Sequence, residues 1–194
     1  MTGKTNFCQA VPLVIHHDWI QTIDRVKKLL PLTEHVKSER HGNATHFLMK
    51  SLGTISEHWD SKSWYRVAGP SVEQTMPWIH DLLSCMAELQ PDDSCISILD
   101  GAAESHIDLP EIPSALNYIF YTTDSEAHTW LKDGSVIETH PSTVGSAWII
   151  DTQKEHGVVN NGIRYSLSIH FKADYQTIKQ WFNSQTQSSL TFGS

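Results

Sequence analysis

The chain has 194 residues, of which 39% are hydrophobic and 19% are charged, and its formal net charge is −8. This composition is typical of a folded globular domain and argues against intrinsic disorder. It also disfavours a nucleic-acid partner, because phosphate binding needs clustered Lys and Arg, and the one local cluster, at 25–28, fits a solvated helix face.

The sequence also disfavours a membrane partner and a secreted protein. No apolar run approaches the roughly 20 residues of a membrane span, and the first residues do not have the pattern of a signal peptide. The three cysteines, Cys8, Cys85 and Cys95, include no CxxC spacing, so we expect neither a disulfide framework nor a cysteine zinc site. Sparse, unpaired cysteines indicate a cytoplasmic protein.

Three segments have the apolar spacing of helices. The first follows Asp18, a candidate cap, and ends at Pro31. The second spans 75–89, where Pro77 suits a first turn, and the third spans 175–185. The stretch between the first two helices has no clear pattern, and the Ser/Thr/Gln-rich tail at 184–194 is expected to fray.

From residue 94 onward the pattern changes to short runs rich in β-branched and aromatic residues, separated by Gly, Pro and Asp. Such spacing is typical of an all-β sandwich or barrel. The sequence therefore predicts one domain over 1–194: a mainly helical N-terminal support at 1–92, a β core at 93–172, and a C-terminal helix and tail at 173–194. The eight predicted strands are 95–99, 105–109, 116–122, 128–132, 136–139, 147–150, 157–159 and 165–171.

His-x-Asp spacing places two metal-ligand types on the same face of a strand. The spacing occurs at His16/Asp18, His58/Asp60 and His106/Asp108. The first Asp is explained as a helix cap, and the second pair lies in the stretch without a pattern. Only His106 and Asp108 fall within a predicted strand, although a surface polar pair is the alternative there.

A third ligand would complete a triad of two His and one carboxylate, which leaves metal positions open. The downstream histidines are His128, His140, His156 and His170, and His156 is the candidate because it closely follows the strand at 147–150.

Eight residues after His156, alternation places Arg164, Ser166, Ser168 and His170 on one face of the last strand. An arginine directed into a barrel is costly unless it meets an anion, and its guanidinium fork suits a carboxylate. The alternative is a salt bridge to an Asp or Glu of the chain itself.

The stretch 96–171 resembles the iron(II)- and 2-oxoglutarate-dependent dioxygenases. The resemblance lies in five ordered pieces, and their order and spacing are most similar to the prolyl-hydroxylase and aspartyl/asparaginyl-hydroxylase branches. The pieces are Ser-His106-Ile-Asp108, Asn117-Tyr-Ile-Phe-Tyr121, Gly-Ser-Ala-Trp-Ile-Ile-Asp at 145–151, His156-Gly-Val-Val-Asn160 and Arg164-Tyr-Ser166-Leu-Ser.

The resemblance implies a mainly β fold with flanking helices, in the form of a double-stranded β-helix (a jelly-roll, cupin-like barrel). It implies that His106, Asp108 and His156 hold Fe(II). Arg164, assisted by Ser166, would bind the distal carboxylate of 2-oxoglutarate. Asn117 and Tyr121 share a parity on a neighbouring strand and are expected to line the same pocket.

The implied reaction is hydroxylation of an amino acid or peptide side chain by O₂, with decarboxylation of 2-oxoglutarate to succinate. Members that demethylate nucleobases carry a second arginine where this chain has His170, which disfavours that substrate class. Asp108 favours hydroxylation over halogenation, because halogenating members replace this carboxylate with a small residue. Two alternatives stay open: a cupin-type metal enzyme that does not use 2-oxoglutarate, and a non-catalytic jelly-roll binding module. The pattern predicts no oligomeric state.

Overall fold

The computed structural model describes residues 7–29, 34–37, 45–48, 64–68, 76, 78–185 and 190–193. The described residues are mainly β, with three helices and a short 3-10 turn at Ala87–Leu89. The helices are α1 (Trp19–Leu29), α2 (Ile79–Cys85) and α3 (Tyr175–Ser184). The strands are β1 (Cys8–Ala10), β2 (Leu13–His16), β3 (Glu34–Lys37), β4 (Thr45–Leu48), β5 (Trp64–Ala68), β6 (Pro91–Asp100), β7 (Ala103–His106), β8 (Ser114–Thr122), β9 (His128–Asp133), β10 (Val136–Pro141), β11 (Ala147–Asp151), β12 (Glu155–Val159), β13 (Ile163–Phe171) and β14 (Leu190–Gly193).

Two antiparallel sheets form a jelly roll. The larger sheet has the order β1-β11-β8-β13-β6-β5, and the smaller has the order β10-β9-β12-β7. Side chains of both sheets line one cavity between them, which places the candidate site inside the fold.

Alternation along β13 separates the hydrophobic core from the cavity. Tyr165, Leu167, Ile169 and Phe171 are buried on one face, where they belong to the same apolar cluster as the helices α2 and α3. The residues between them face the other sheet. Because a strand changes face at every residue, one strand supplies both the core and the site.

The helices and the β core agree with the sequence predictions. Each of the eight predicted strands overlaps one of the strands β6 to β13, although the strand predicted at 105–109 extends beyond the end of β7. Asp18 caps α1, since its carboxylate accepts a hydrogen bond from the Gln21 N–H at 2.9 Å, as the sequence predicted.

The prediction of a mainly helical N-terminal support is wrong for the described residues, because β1 to β5 lie there. The strands β1 and β5 extend the larger sheet by pairing with β11 and β6. The prediction of a frayed tail is also wrong at β14, which pairs in parallel with β2. The strands β1, β2, β5 and β14 have three to five residues. Their extended conformation depends on pairing with a neighbouring strand rather than on a local sequence pattern.

Within the described ranges, no helix is long and apolar enough to cross a membrane. The pair His58/Asp60 lies outside the described residues.

Candidate active site

His106, Asp108 and His156 converge on one point. One ligand atom from each residue lies within 4.8 Å of the other two. The distance from His106 Nε2 to Asp108 Oδ1 is 3.6 Å, and the distance from His156 Nε2 to Asp108 Oδ2 is 3.9 Å. Two imidazoles and one carboxylate in this arrangement fit the facial triad of a non-haem Fe(II) site.

Strand pairing brings the two histidines together. His106 ends β7 and is the direct cross-strand partner of His156 in β12, and the two ring centroids are 4.3 Å apart. Cross-strand partners on one face of an antiparallel pair have their Cβ atoms about 5 Å apart. The register of this pair of strands therefore sets the spacing of the two imidazole ligands.

The protonation of His156 follows from a backbone contact. Its Nδ1 lies 2.8 Å from the carbonyl oxygen of Lys154, and a carbonyl oxygen only accepts hydrogen bonds. Nδ1 therefore carries the proton, and the lone pair of Nε2 faces Asp108. Such a contact fixes the tautomer and the ring orientation of a metal-binding histidine.

Asp108 lies in a loop, whereas the sequence predicted a strand over 105–109. Strand β7 ends at His106, and the Asp108 N–H donates instead to the carbonyl oxygen of Thr152 at 3.1 Å. The loop is held further by Gln153 Nε2, which donates to the Leu109 carbonyl oxygen at 3.2 Å. His156 closely follows β11, as expected, and lies within β12.

Arg164 is a buried cation in the lining of the same cavity. It is 7% exposed, and its Nη1 donates to Thr129 Oγ1 at 3.3 Å and to Ser142 Oγ at 3.1 Å. Its Nε is buried and has no hydrogen-bond partner among the described residues. Burial alone lowers the pKa of Arg164 to about 10. Within the described part of the chain no carboxylate pairs with this guanidinium, so the salt-bridge alternative finds no support there.

The cavity has a volume of about 190 Å³. That is below the range of about 300–1,000 Å³ of drug-sized pockets and above the roughly 150 Å³ of a cavity that holds benzene. The metal-binding residues and Arg164 are both part of its lining. Its size and the buried cation therefore suit a small anionic molecule that reaches from the triad to Arg164. Other lining residues include Leu99, Asn117, Thr129, Ile150, Ser168 and His170.

Asn117 lines the cavity as predicted, and its Oδ1 accepts a hydrogen bond from Ser168 Oγ at 2.7 Å. Ser166 is buried on the same face of β13 as Arg164, but among the described residues the lining contains Arg164 and Ser168 and not Ser166. The structure thus brings Asn117 and Arg164 to one cavity and leaves Ser166 just outside its wall.

The prediction that Tyr121 lines this pocket is wrong. Strand β8 has an irregular register here, since Tyr165 pairs with Tyr121 while Ser166 pairs with Ile119. The extra residue is a β-bulge, which reverses the alternation beyond it. Tyr121 consequently packs against the apolar core, with its ring 5.6 Å from that of Tyr165.

Sequence reasoning missed Thr129 and Ser142, the two hydroxyl partners of Arg164. Thr129 follows an inward alternation in β9, where it and Leu131 are buried and their neighbours are half-buried. That alternation was available as a signal for Thr129. Ser142 lies after β10, and no periodic pattern marks it.

No family model matches the sequence, and no curated protein matches it either. Solved structures do match in fold. A prolyl hydroxylase from Trichoplax adhaerens, in complex with a hypoxia inducible factor oxygen degradation domain peptide fragment, aligns with a TM-score of 0.60 and 12% identity over 90% of this chain and 87% of that chain. A Pseudomonas putida prolyl-4-hydroxylase aligns with a TM-score of 0.53 and 10% identity over 87% and 94%. SnoN, a non-heme alpha ketoglutarate dependent epimerase from nogalamycin biosynthesis, aligns with a TM-score of 0.52 and 15% identity over 86% and 77%.

These neighbours confirm, at the level of the fold, the predicted resemblance to the iron(II)- and 2-oxoglutarate-dependent oxygenases. The chain has the jelly-roll fold of prolyl hydroxylases and of an alpha ketoglutarate dependent epimerase.

Proposed function

We propose that this chain is an Fe(II)- and 2-oxoglutarate-dependent oxygenase that hydroxylates an amino acid or peptide side chain. The observation that carries the proposal is the presence, in the lining of one cavity, of a His-Asp-His cluster and of a buried Arg164 that pairs with no carboxylate of the described residues. The fold of the solved neighbours supports the same class.

The three side chains fit a ferrous ion by the chemistry of their donors. Two neutral imidazoles and one carboxylate supply three ligand atoms from one side, which leaves coordination positions for other molecules. The hydrogen bond from His156 Nδ1 to Lys154 holds its Nε2 ready to bind a metal. His106, Asp108 and His156 would therefore hold Fe(II).

Arg164 fits the distal carboxylate of 2-oxoglutarate. A buried guanidinium whose Nε has no partner is destabilising until an anion reaches it. A carboxylate can accept two parallel hydrogen bonds from the fork of an arginine. Asn117 and Ser168, which are hydrogen-bonded to each other in the cavity lining, would lie beside the carbon chain of the co-substrate.

When bound, Fe(II) and 2-oxoglutarate supply the oxidising chemistry: one oxygen atom of O₂ enters a substrate C–H bond, and the other enters succinate as CO₂ leaves. The residues of this chain position the reactants. Arg164 would orient the distal carboxylate of the co-substrate, the triad would fix its other end, and the apolar wall at Leu99 and Ile150 would exclude water.

The substrate class is inferred from the solved neighbours and from the charge of this chain. One neighbour was solved with a peptide, and a net charge of −8 disfavours a polyanionic substrate such as DNA or RNA. Since another neighbour is an epimerase, hydroxylation is the finer part of the proposal. Among the described residues, Cys8, Cys85 and Cys95 form no disulfide, which fits a reducing, cytoplasmic location.

The test is metal binding followed by turnover. Isothermal titration of Fe(II) under anaerobic conditions should show one site in the wild type. His156→Ala removes a ligand and should weaken Fe(II) binding by more than the loss of an outer-shell partner does, which is about 10–100-fold. His80→Ala, an exposed position in α2, is the matched control and should bind normally. With amino acids and peptides as candidate substrates, 2-oxoglutarate should be converted to succinate.

Two results would contradict the proposal. If the folded wild type binds no Fe(II), the chain is a non-catalytic jelly-roll module. If it binds Fe(II) but anaerobic 2-oxoglutarate gives no visible charge-transfer band, the cupin-type metal enzyme that does not use this co-substrate is the better description.

A further inference from the structure

Next to Arg164 lies a second buried group that the proposed function does not use. His140 in β10 is 2% exposed, and neither of its ring nitrogens has a hydrogen-bond partner in the described part of the chain. Its ring stacks on the indole of Trp148 in β11, with centroids 4.5 Å apart and planes 20° apart. The indole Nε1 is also buried without a partner.

The strand register places His140 directly beside a residue of the cavity lining. It is the direct cross-strand partner of Thr129, which lines the cavity and accepts a hydrogen bond from Arg164. Two residues further along the chain, Ser142 accepts the second hydrogen bond of the same Nη1. His140 is therefore flanked, in the register and along the chain, by the two hydroxyl partners of Arg164.

We propose that His140 is a specificity-determining residue for the co-substrate, donating a ring N–H to the same carboxylate that Arg164 binds while Trp148 holds the imidazole ring in place. This inference rests on the proposed function, since it names a further contact of the same site. It assigns to the buried imidazole a partner that the described residues do not supply.

The electrostatics around His140 support this role. Burial, together with the nearby Arg164 and His128, lowers the pKa of His140 to about 3, so the ring is neutral at pH 7. A neutral imidazole carries one N–H donor. A buried polar group without a partner is destabilising, and a carboxylate beside Arg164 would satisfy both residues at once.

The test uses His140→Phe, which keeps an aromatic ring beside Trp148 and removes both nitrogens. The matched control is Tyr175→Phe, because the Tyr175 hydroxyl is likewise buried without a partner in the described residues but belongs to the core near α3. Binding is measured by calorimetry with Mn(II) in place of Fe(II), so that no turnover is needed. The probes are 2-oxoglutarate and 2-oxopentanoate, which lacks the distal carboxylate.

We expect His140→Phe to bind 2-oxoglutarate about 10- to 100-fold more weakly than wild type, the usual range for a hydrogen bond to a charged group. Its affinity for 2-oxopentanoate should equal that of the wild type, and Tyr175→Phe should match the wild type with both. Thermal unfolding without ligand should show His140→Phe to be as stable as wild type or more so.

Two outcomes overturn the inference and leave the proposed function intact: wild-type affinity of His140→Phe for 2-oxoglutarate, or an equal loss of affinity for both probes. A strongly destabilised His140→Phe would assign the residue a structural role and overturn it too. Failure of the wild type to bind 2-oxoglutarate at all, with Mn(II) bound, would instead contradict the proposed function itself.

Discussion

Replacing Arg164 with Met should leave the unliganded protein about as stable as before. Burial lowers the pKa of Arg164 from 12.5 to about 10, and each pKa unit corresponds to about 1.4 kcal/mol. The charged guanidinium therefore destabilises the folded chain by roughly 3 kcal/mol at any pH below its folded pKa. This penalty disappears only as the pH rises through the interval between the two pKa values.

Arg164→Met also removes the hydrogen bonds from Nη1 to Thr129 and Ser142, which have a charged donor and are worth about 1.5 kcal/mol each at the low end of their range. These losses offset the relief of burial, so the net change should be within about 1 kcal/mol of zero, or within about 2–4 °C in melting temperature for a chain of this size. Arg25→Met, at an exposed position of α1, is the control and should change little. Thermal and urea unfolding measure both variants.

The same variant should lose stabilisation by ligand. At 100 times its Kd, 2-oxoglutarate with Mn(II) should stabilise the wild type by about 2.7 kcal/mol, whereas Arg164→Met should gain much less at the same concentration. If Arg164→Met loses about 3–5 kcal/mol of stability without ligand, as expected when a buried ion pair is broken, Arg164 has a carboxylate partner and the reasoning is refuted. An unchanged ligand-induced shift would equally contradict it.

Three further predictions follow from the same geometry. The pKa of His140 is about 3 in the folded chain against 6.5 for an ordinary histidine side chain, so the unfolded chain binds more protons between these values. Stability should therefore fall by about 2 kcal/mol from pH 7 to pH 5 on account of His140; urea unfolding of His140→Phe should lack this part of the slope, and an identical slope would rule it out. Gly157→Val should destabilise the protein by about 1–3 kcal/mol and weaken Fe(II) binding, because an added Cβ would lie 3.0 Å from the Trp130 ring and 3.1 Å from the Ala103 carbonyl oxygen; unaltered metal titration would contradict this. Tyr121→Phe should bind 2-oxoglutarate like the wild type, since the Tyr121 ring packs against the core. A large loss of affinity, measured by calorimetry, would instead show that Tyr121 lines the cavity.

The β core and the metal cluster could be predicted because their signals are local. Alternation in β13 is visible in the sequence from Arg164 to Phe171, and it correctly places Arg164 and Ser168 on the cavity face. The His-x-Asp spacing identified His106 and Asp108, although the strand argument behind it was wrong, since Asp108 lies in a loop held by Thr152.

The misses have non-local causes. The prediction for Tyr121 was wrong because a single extra residue in β8 turns its side chain to the other face of the sheet. A bulge of this kind cannot be recognised from the pattern of apolar residues in the sequence. The strands β1 and β14 are short and depend on β11 and β2 for their hydrogen bonds. Such pairing is set by tertiary context, which a single sequence does not display.

Buried polar atoms that lack partners among the described residues are grouped around Arg164. They are Arg164 Nε, Trp148 Nε1 and both ring nitrogens of His140. Each such atom is unfavourable by about 1–3 kcal/mol, so their grouping destabilises the unliganded fold at one place. An anion that accepts from several of these donors becomes part of the core, and its binding raises the stability of the whole protein. Variants that remove these unpaired polar atoms should therefore be at least as stable as the wild type without ligand and should bind the co-substrate more weakly. Such a trade-off between stability and function is expected of a binding site.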